Sequence, residues 1–322
     1  MTSAPAPTLA DGTDSTVAGA TSLTRIRLAT SDDWREWTVR NAPALRAVLT
    51  SAALILENAP VRSPADLAFL AEAVGGPLME YTERSTPRTR IDSNVYTSTE
   101  YPKDQEIPQH NENSYSDTWP WYVFFLCRTP AAQGGQTPVA DGRTVLRLLP
   151  RDLVARFRER GVCYTRTFRA GLGLSWQDTF QTTDRAEVER YCAAHGIDAR
   201  WRGDLLQTSQ RRPATIRHPV TGEEAWFNQA HLFHVNALPD EVRRSMLQLY
   251  AEDGLPRNAT YGTGEPITDD DLAAIDAAYE RARIGHAWAA GDVLMIDNHV
   301  MSHGRQRYTG ERSVAVAMTG AR

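Results

Sequence analysis

Residues 107–141 read IPQHNENSYSDTWPWYVFFLCRTPAAQGGQTPVAD. Within this stretch, residues 122–127 carry the aromatic and β-branched content of a strand, Gly134-Gly135 marks a turn, and residues 136–141 form a second short strand. A comparable block closes the chain. Residues 292–297 hold an apolar Val-Leu-Met-Ile run between two aspartates, a loop runs through Gly304, and residues 313–318 alternate in the two-residue rhythm of a strand. Strands at both ends with helical segments between them do not make the repeating strand–helix order of a doubly wound fold. The expected class is mainly β, an antiparallel core with inserted helices, and residues 23–322 form one domain. No internal repeat is visible.

Outward from these blocks, residues 32–40 read as a short helix capped by Ser31 or Asp32, with Trp34 and Trp37 on one side. Pro43 would end that helix and open a second one running to Leu49. A buried strand follows at 52–56, then a helix at 63–73 opened by Ser63 and Pro64. Residues 92–99 are strand-like. Helices are expected at 143–149, 151–160, 184–194, 239–251 and 269–283, the last with Leu272, Ile275, Ala278 and Tyr279 on one face. Further strands fall at 163–168, 214–218 and 223–228.

Bulk properties exclude several classes. Among the 322 residues, Lys+Arg 35 against Asp+Glu 40 gives a net charge of −5, with no long basic run to recommend nucleic acid. The longest apolar stretch, around residues 119–127, is too short to span a bilayer. Cys127, Cys163 and Cys192 make neither a disulfide framework nor a zinc pattern, as expected of a reduced cytoplasmic protein. Residues 1–22 are rich in Ala, Thr, Ser and Pro, without a basic start and apolar core. They read as a disordered leader rather than a secretory signal.

The strongest chemistry is His110-x-Glu112. In extended backbone, residues two apart share a face, so an imidazole and a carboxylate can meet on one ion. His303, just past the 292–297 strand, is the candidate third ligand. Two histidines and one carboxylate on one face of an octahedron suit non-haem iron(II), and the same donors also suit catalytic zinc. An isolated H-x-E arises often by chance. His231 and His234 at i, i+3, and His299 and His303 at i, i+4, lack the catalytic Glu of the H-E-x-x-H pattern. His195, His218 and His286 fit no ligand pattern. Asp297 and Asn298 are placed to orient His303. Trp119 and Trp121 read as core packing.

Residues 107–141 together with GDVLMIDNHVMSHGRQRYTGERSVAVAM at 291–318 resemble the taurine-dioxygenase-like (TauD/TfdA) family of iron(II)/2-oxoglutarate-dependent dioxygenases. The resemblance is to the branch that hydroxylates amino acids, of the syringomycin-type aspartyl hydroxylase kind. It runs from about Leu54 onward and is weakest between Gly171 and Gln210. It implies a double-stranded β-helix (jelly roll, cupin-like) core, with iron(II) on His110, Glu112 and His303. It also implies 2-oxoglutarate as cosubstrate with O₂, its far carboxylate held by Thr137 and Arg312. Arg305 and Arg307 are positional rivals of Arg312, which is preferred because it opens an alternating strand whereas they fall in a loop. A guanidinium fork suits a carboxylate.

Substrate contacts implied by position are Asn94, Thr97, Asn111, Ser114, Asn228 and Arg305. The implied reaction is hydroxylation of an amino acid or a derivative, free or tethered to a peptidyl carrier protein, in natural-product biosynthesis. Desaturation, epoxidation and ring formation use the same ligands. Glu112 occupies the position that halogenases of this type leave open, which disfavours halogenation. From other classes, a zinc hydrolase on the same three ligands and a non-catalytic β-sandwich binding protein remain open. Oligomeric state is not legible.

Overall fold

A computed structural model describes residues 23–27, 33–80, 83, 85, 86, 88–92, 94–98, 101–169, 171–250 and 254–321. The leader expected over 1–22 and the caps expected at Ser31 and Asp32 lie outside these residues. The backbone is mainly β with inserted helices, built on a jelly-roll core of two facing sheets that do not close into a barrel.

The larger sheet has seven strands, in the order Leu23–Arg27, Ala53–Glu57, Val293–Asp297, Pro120–Thr129, Ser313–Ala321, Val95–Thr97 and Arg90–Asp92. The first pair is parallel and the rest antiparallel. The motif blocks of the sequence therefore lie side by side at its centre. Alternation of side chains divides these strands cleanly. Leu54, Phe124, Leu126, Val293, Met295 and Ala315 pack under the helices Trp34–Leu49 and Pro64–Gly75. Ile55, Val123, Phe125, Leu294, Ile296 and Val316 face the second sheet. Burial on both faces explains why residues 122–127 read as an unbroken apolar run rather than an alternating one.

The second sheet runs Arg283–Ile284, Val139–Asp141, Met301–Arg305, Ile107–His110, all antiparallel. Residues 301–305, read as loop from sequence, are thus a strand. Their Ser, His, Gly and Arg carry no apolar alternation because the strand serves the site. Gly304 is required there. A Cβ at this position would lie 2.7 Å from the Ile107 carbonyl oxygen, too close for any side chain.

Pro43 does not break its helix, which runs unbroken as Trp34–Leu49 behind an Asp33 cap. Proline costs one backbone hydrogen bond. Burial of Trp37, Leu45 and Leu49 against the sheet offsets that loss. The Pro64–Gly75 helix opens as expected, with a reciprocal Ser63–Asp66 capping box. Residues 92–99 resolve into two short strands, Arg90–Asp92 and Val95–Thr97. A separate antiparallel sheet, Ile197–Arg202, Leu205–Arg212, Val162–Phe168 and Arg257–Tyr261, flanks the core and was not legible beyond 163–168. No helix among the described residues is long and apolar enough to cross a membrane.

Candidate active site

His110 closes the Ile107–His110 strand, and His303 is its direct cross-strand partner. Their rings are 4.3 Å apart, centroid to centroid. His303 Nε2 lies 3.6 Å from Glu112 Oε2. One donor atom from each of His110, Glu112 and His303 falls within 4.8 Å of the others. His110 Nδ1 donates to the Pro108 carbonyl at 2.8 Å, leaving the lone pair on Nε2. Burial lowers the pKa of both imidazoles, that of His303 well below the usual histidine value. Both are therefore neutral near pH 7, as metal ligands must be.

Glu112 reaches this point by another route than strand alternation. It falls past the end of its strand, in a turn where Asn113 takes a left-handed φ of 54°. Asn298 fixes the turn. Its Oδ1 accepts from the Glu112 N–H at 2.7 Å, and its Nδ2 donates to the carbonyls of Glu112 at 2.9 Å and Pro120 at 3.1 Å. The expectation that Asn298 and Asp297 orient His303 is corrected accordingly: neither hydrogen-bonds to it among the described residues. Arg88, which sequence reasoning missed, donates from Nη2 to Glu112 Oε2 at 2.8 Å in a buried ion pair.

Arg312 lies just before the Ser313–Ala321 strand. Its Nε donates to the Gly135 carbonyl at 2.9 Å and its Nη2 to Thr137 Oγ1 at 3.2 Å; Trp288 Nε1 donates to the same hydroxyl at 3.2 Å. Burial, and then the charge of Arg305, lower the Arg312 pKa to about 10, which still leaves it charged near neutrality. Arg312 and Thr137 line one cavity with His110 and His303. Arg305 also lines it, but it ends a strand and donates to the carbonyls of Tyr101, Pro102 and Gln105 at 2.9, 2.6 and 2.7 Å.

The remaining substrate candidates are placed differently. Asn111 Nδ2 donates to the Asn298 carbonyl, Ser114 Oγ to the Asn111 carbonyl, and Asn228 Nδ2 to the Ala214 carbonyl. Thr97 Oγ1 accepts from the Thr89 N–H, and Asn94 Oδ1 is buried without a hydrogen-bond partner among the described residues. None of these five lines the Arg312 cavity or the second one that opens on the metal side. That second cavity is bounded by His110, Glu112, Arg88, Tyr115, Phe233 and Arg257. His110, Glu112 and Tyr115 belong to the 107–141 block, whereas Arg257 comes from a segment without motif, so nothing in the sequence pointed to it.

Comparison with known protein families matches residues 20–318 to the family described as taurine catabolism dioxygenase TauD, TfdA family. This chain belongs to that family. It is an iron(II)- and 2-oxoglutarate-dependent dioxygenase using O₂. The dapdiamide synthesis protein DdaC of Enterobacter agglomerans is 40% identical over 303 residues, 94% of this chain and 92% of that one. A clavaminate synthase-like protein of Arabidopsis thaliana is 28% identical, covering 83% and 81%. Among solved structures, PvcB of Pseudomonas aeruginosa superposes with a TM-score of 0.53 at 14% identity, covering 92% and 84%. AAD-2 in complex with Mn(II) and N-oxalylglycine superposes with a TM-score of 0.53 at 14% identity, covering 96% and 97%. These two likenesses show the fold. Family membership sets aside the zinc hydrolase and the non-catalytic binding protein.

In the dioxygenase a second cluster, His218, Asp297 and His299, also has metal-like spacing. It is a closed hydrogen-bond network instead. His218 Nδ1 accepts from the N–H groups of Val220 and Thr221, so its Nε2 carries the proton donated to Asp297 at 2.9 Å. His299 Nδ1 donates to Asp297 at 2.9 Å and its Nε2 accepts from Trp119 Nε1 at 3.3 Å. No lone pair is left over for an ion. By contrast, the first cluster keeps a free Nε2 on His110 and a carboxylate beside it, which fits iron(II). His231 and His234 join no such group among the described residues.

Proposed function

We propose that this dioxygenase hydroxylates an unactivated C–H bond of an amino acid or amino-acid-derived intermediate, free or carrier-bound, in natural-product biosynthesis. The observation that carries the reading is the meeting of His110, Glu112 and His303 within 4.8 Å of one another, with His110 and His303 lining a cavity that Arg312 and Thr137 also line. The 40% identity to a dapdiamide synthesis protein supports a biosynthetic role, and the free, buried cysteines fit a cytoplasmic one.

His110, Glu112 and His303 would hold the iron, which with 2-oxoglutarate and O₂ supplies the oxidising power when bound. Arg312 would pair with the far carboxylate of 2-oxoglutarate, and the Thr137 hydroxyl would add a donor beside it. Arg88 fixes the Glu112 carboxylate, and so holds one oxygen in place before any ligand arrives. The same residues serve desaturation, epoxidation or ring closure, and product analysis separates these outcomes.

The test is a screen of free amino acids for substrate-dependent succinate release from 2-oxoglutarate. Stimulation by an amino acid, with a product heavier by one oxygen, supports the reading; release insensitive to every amino acid and to their carrier-bound thioesters contradicts it. Arg312→Ala is expected to weaken 2-oxoglutarate binding about 10- to 100-fold, the range for losing a charged hydrogen-bond partner. Unchanged affinity would remove Arg312 from this role.

A further inference from the structure

A guanidinium that no motif marks faces the metal-side cavity. Arg257 begins the Arg257–Tyr261 strand and stands directly opposite Arg166 of the Val162–Phe168 strand. Like charges facing each other across paired strands repel. Arg166 is engaged, donating to Thr179 Oγ1 at 3.2 Å with its guanidinium 4.6 Å above the Phe168 ring. The Arg257 side chain makes no hydrogen bond or ion pair among the described residues; its guanidinium stands 5.8 Å from the Phe233 ring centre. It is half-buried, and burial lowers its pKa below the usual arginine value without discharging it near neutrality. A guanidinium withdrawn from water in this way is costly until an anion meets it.

Its position says which anion. Arg257 lines the cavity that His110 and Glu112 line, and also the adjoining one that leads outward past Leu238 and Met246. Arg312 and Thr137 lie in the other cavity, so the 2-oxoglutarate grip and Arg257 occupy different pockets that share His110 and Arg88. Tyr115, Leu232 and Phe233 give the Arg257 cavity an apolar wall.

We infer that Arg257 receives a carboxylate carried by the substrate itself, so that the enzyme acts on a carboxylate-bearing substrate. This rests on the proposed amino-acid oxygenation and narrows it. A planar fork of donors matches a carboxylate edge-on, and one end of a small substrate held there leaves its chain reaching along the cavity toward His110 and Glu112. An aminoacyl group esterified to a carrier arm has given up its α-carboxylate and could offer Arg257 only a side-chain carboxylate. The phosphate of such an arm sits at the arm's far end, outside a cavity that metal ligands share.

The experiment measures binding, with oxygen excluded, to the full chain loaded with iron(II) and saturating 2-oxoglutarate. The probes are the L-amino acids and their N-acetyl derivatives, each paired with its primary amide, followed by saturation-transfer NMR and calorimetry. At least one acid is expected to bind while its amide binds about tenfold or more weakly. Arg257→Gln should erase that difference and Arg257→Lys restore part of it, with 2-oxoglutarate affinity unchanged in both. Amides binding as well as acids, full acid binding by Arg257→Gln, or no acid binding to the wild-type chain would each overturn the inference. Failure of the proposed reading is separate: it would show as 2-oxoglutarate turnover that neither free amino acids nor their carrier-bound thioesters stimulate.

Discussion

Asn298 holds Glu112 by gripping its backbone from both sides, so the acidic ligand is positioned by a neighbour the motif does not include. Asn298→Ala should therefore lower iron affinity about 10- to 100-fold, the usual cost of losing a ligand-orienting partner. Metal titration of a variant shown to be folded checks this, and unchanged affinity would mean the turn holds itself. Asp297, by contrast, accepts from His218, His299 and Trp121 in the buried network. Asp297→Ala should cost about 3 kcal/mol or more in stability, measured by denaturant unfolding, while iron loading stays at one per chain. A loss of one iron from two would make that cluster a second metal site. At this scale the histidines and Glu112 were legible because their types and spacing carry chemistry. Arg88 and Arg257 were not, since an isolated arginine looks the same on a surface and in a site, and Asn298 was singled out for His303 when it holds Glu112.

Among elements, the strand Met301–Arg305 brings His303 opposite His110, and Gly304 lets it approach the Ile107 carbonyl. Gly304→Ala is expected to push these strands apart. It should lower stability by about 1–3 kcal/mol and weaken iron binding at least tenfold, read by thermal unfolding and metal titration together. Retained iron affinity would show that the strand pair can give without moving the imidazoles. This strand escaped sequence reading because His303 and Arg305 serve the site and Ser302 bonds to Gln109, which leaves no apolar period. The long helix through Pro43 escaped for the opposite reason. Local chemistry argued for a break, and packing of Trp37, Leu45 and Leu49 overrode it. The central strands and the capped helix at Ser63 were legible, since burial pattern and cap chemistry there agree with the tertiary context.

For the whole molecule, His110 and His303 stand on the second sheet, Glu112 in the turn after it and Arg312 just ahead of a strand of the larger sheet, with about two hundred residues of chain separating His110 and Glu112 from His303 and Arg312. Ligands that bridge such distant segments bind the folded chain alone. Iron(II) with 2-oxoglutarate at 100 times its dissociation constant should add about 2.7 kcal/mol to unfolding stability. Anaerobic thermal scans with and without both ligands check this, and no upward shift would mean the site does not tie the two sheets together.

The central claim is that His110, Glu112 and His303 share one iron(II) with 2-oxoglutarate beside it. Anaerobic titration of iron(II) into the chain with 2-oxoglutarate, followed by visible absorption, tests it most directly. The account predicts a weak charge-transfer band that saturates at one iron per chain and vanishes in His303→Ala. A band that persists unchanged in His303→Ala, or none in the wild-type chain, would contradict it.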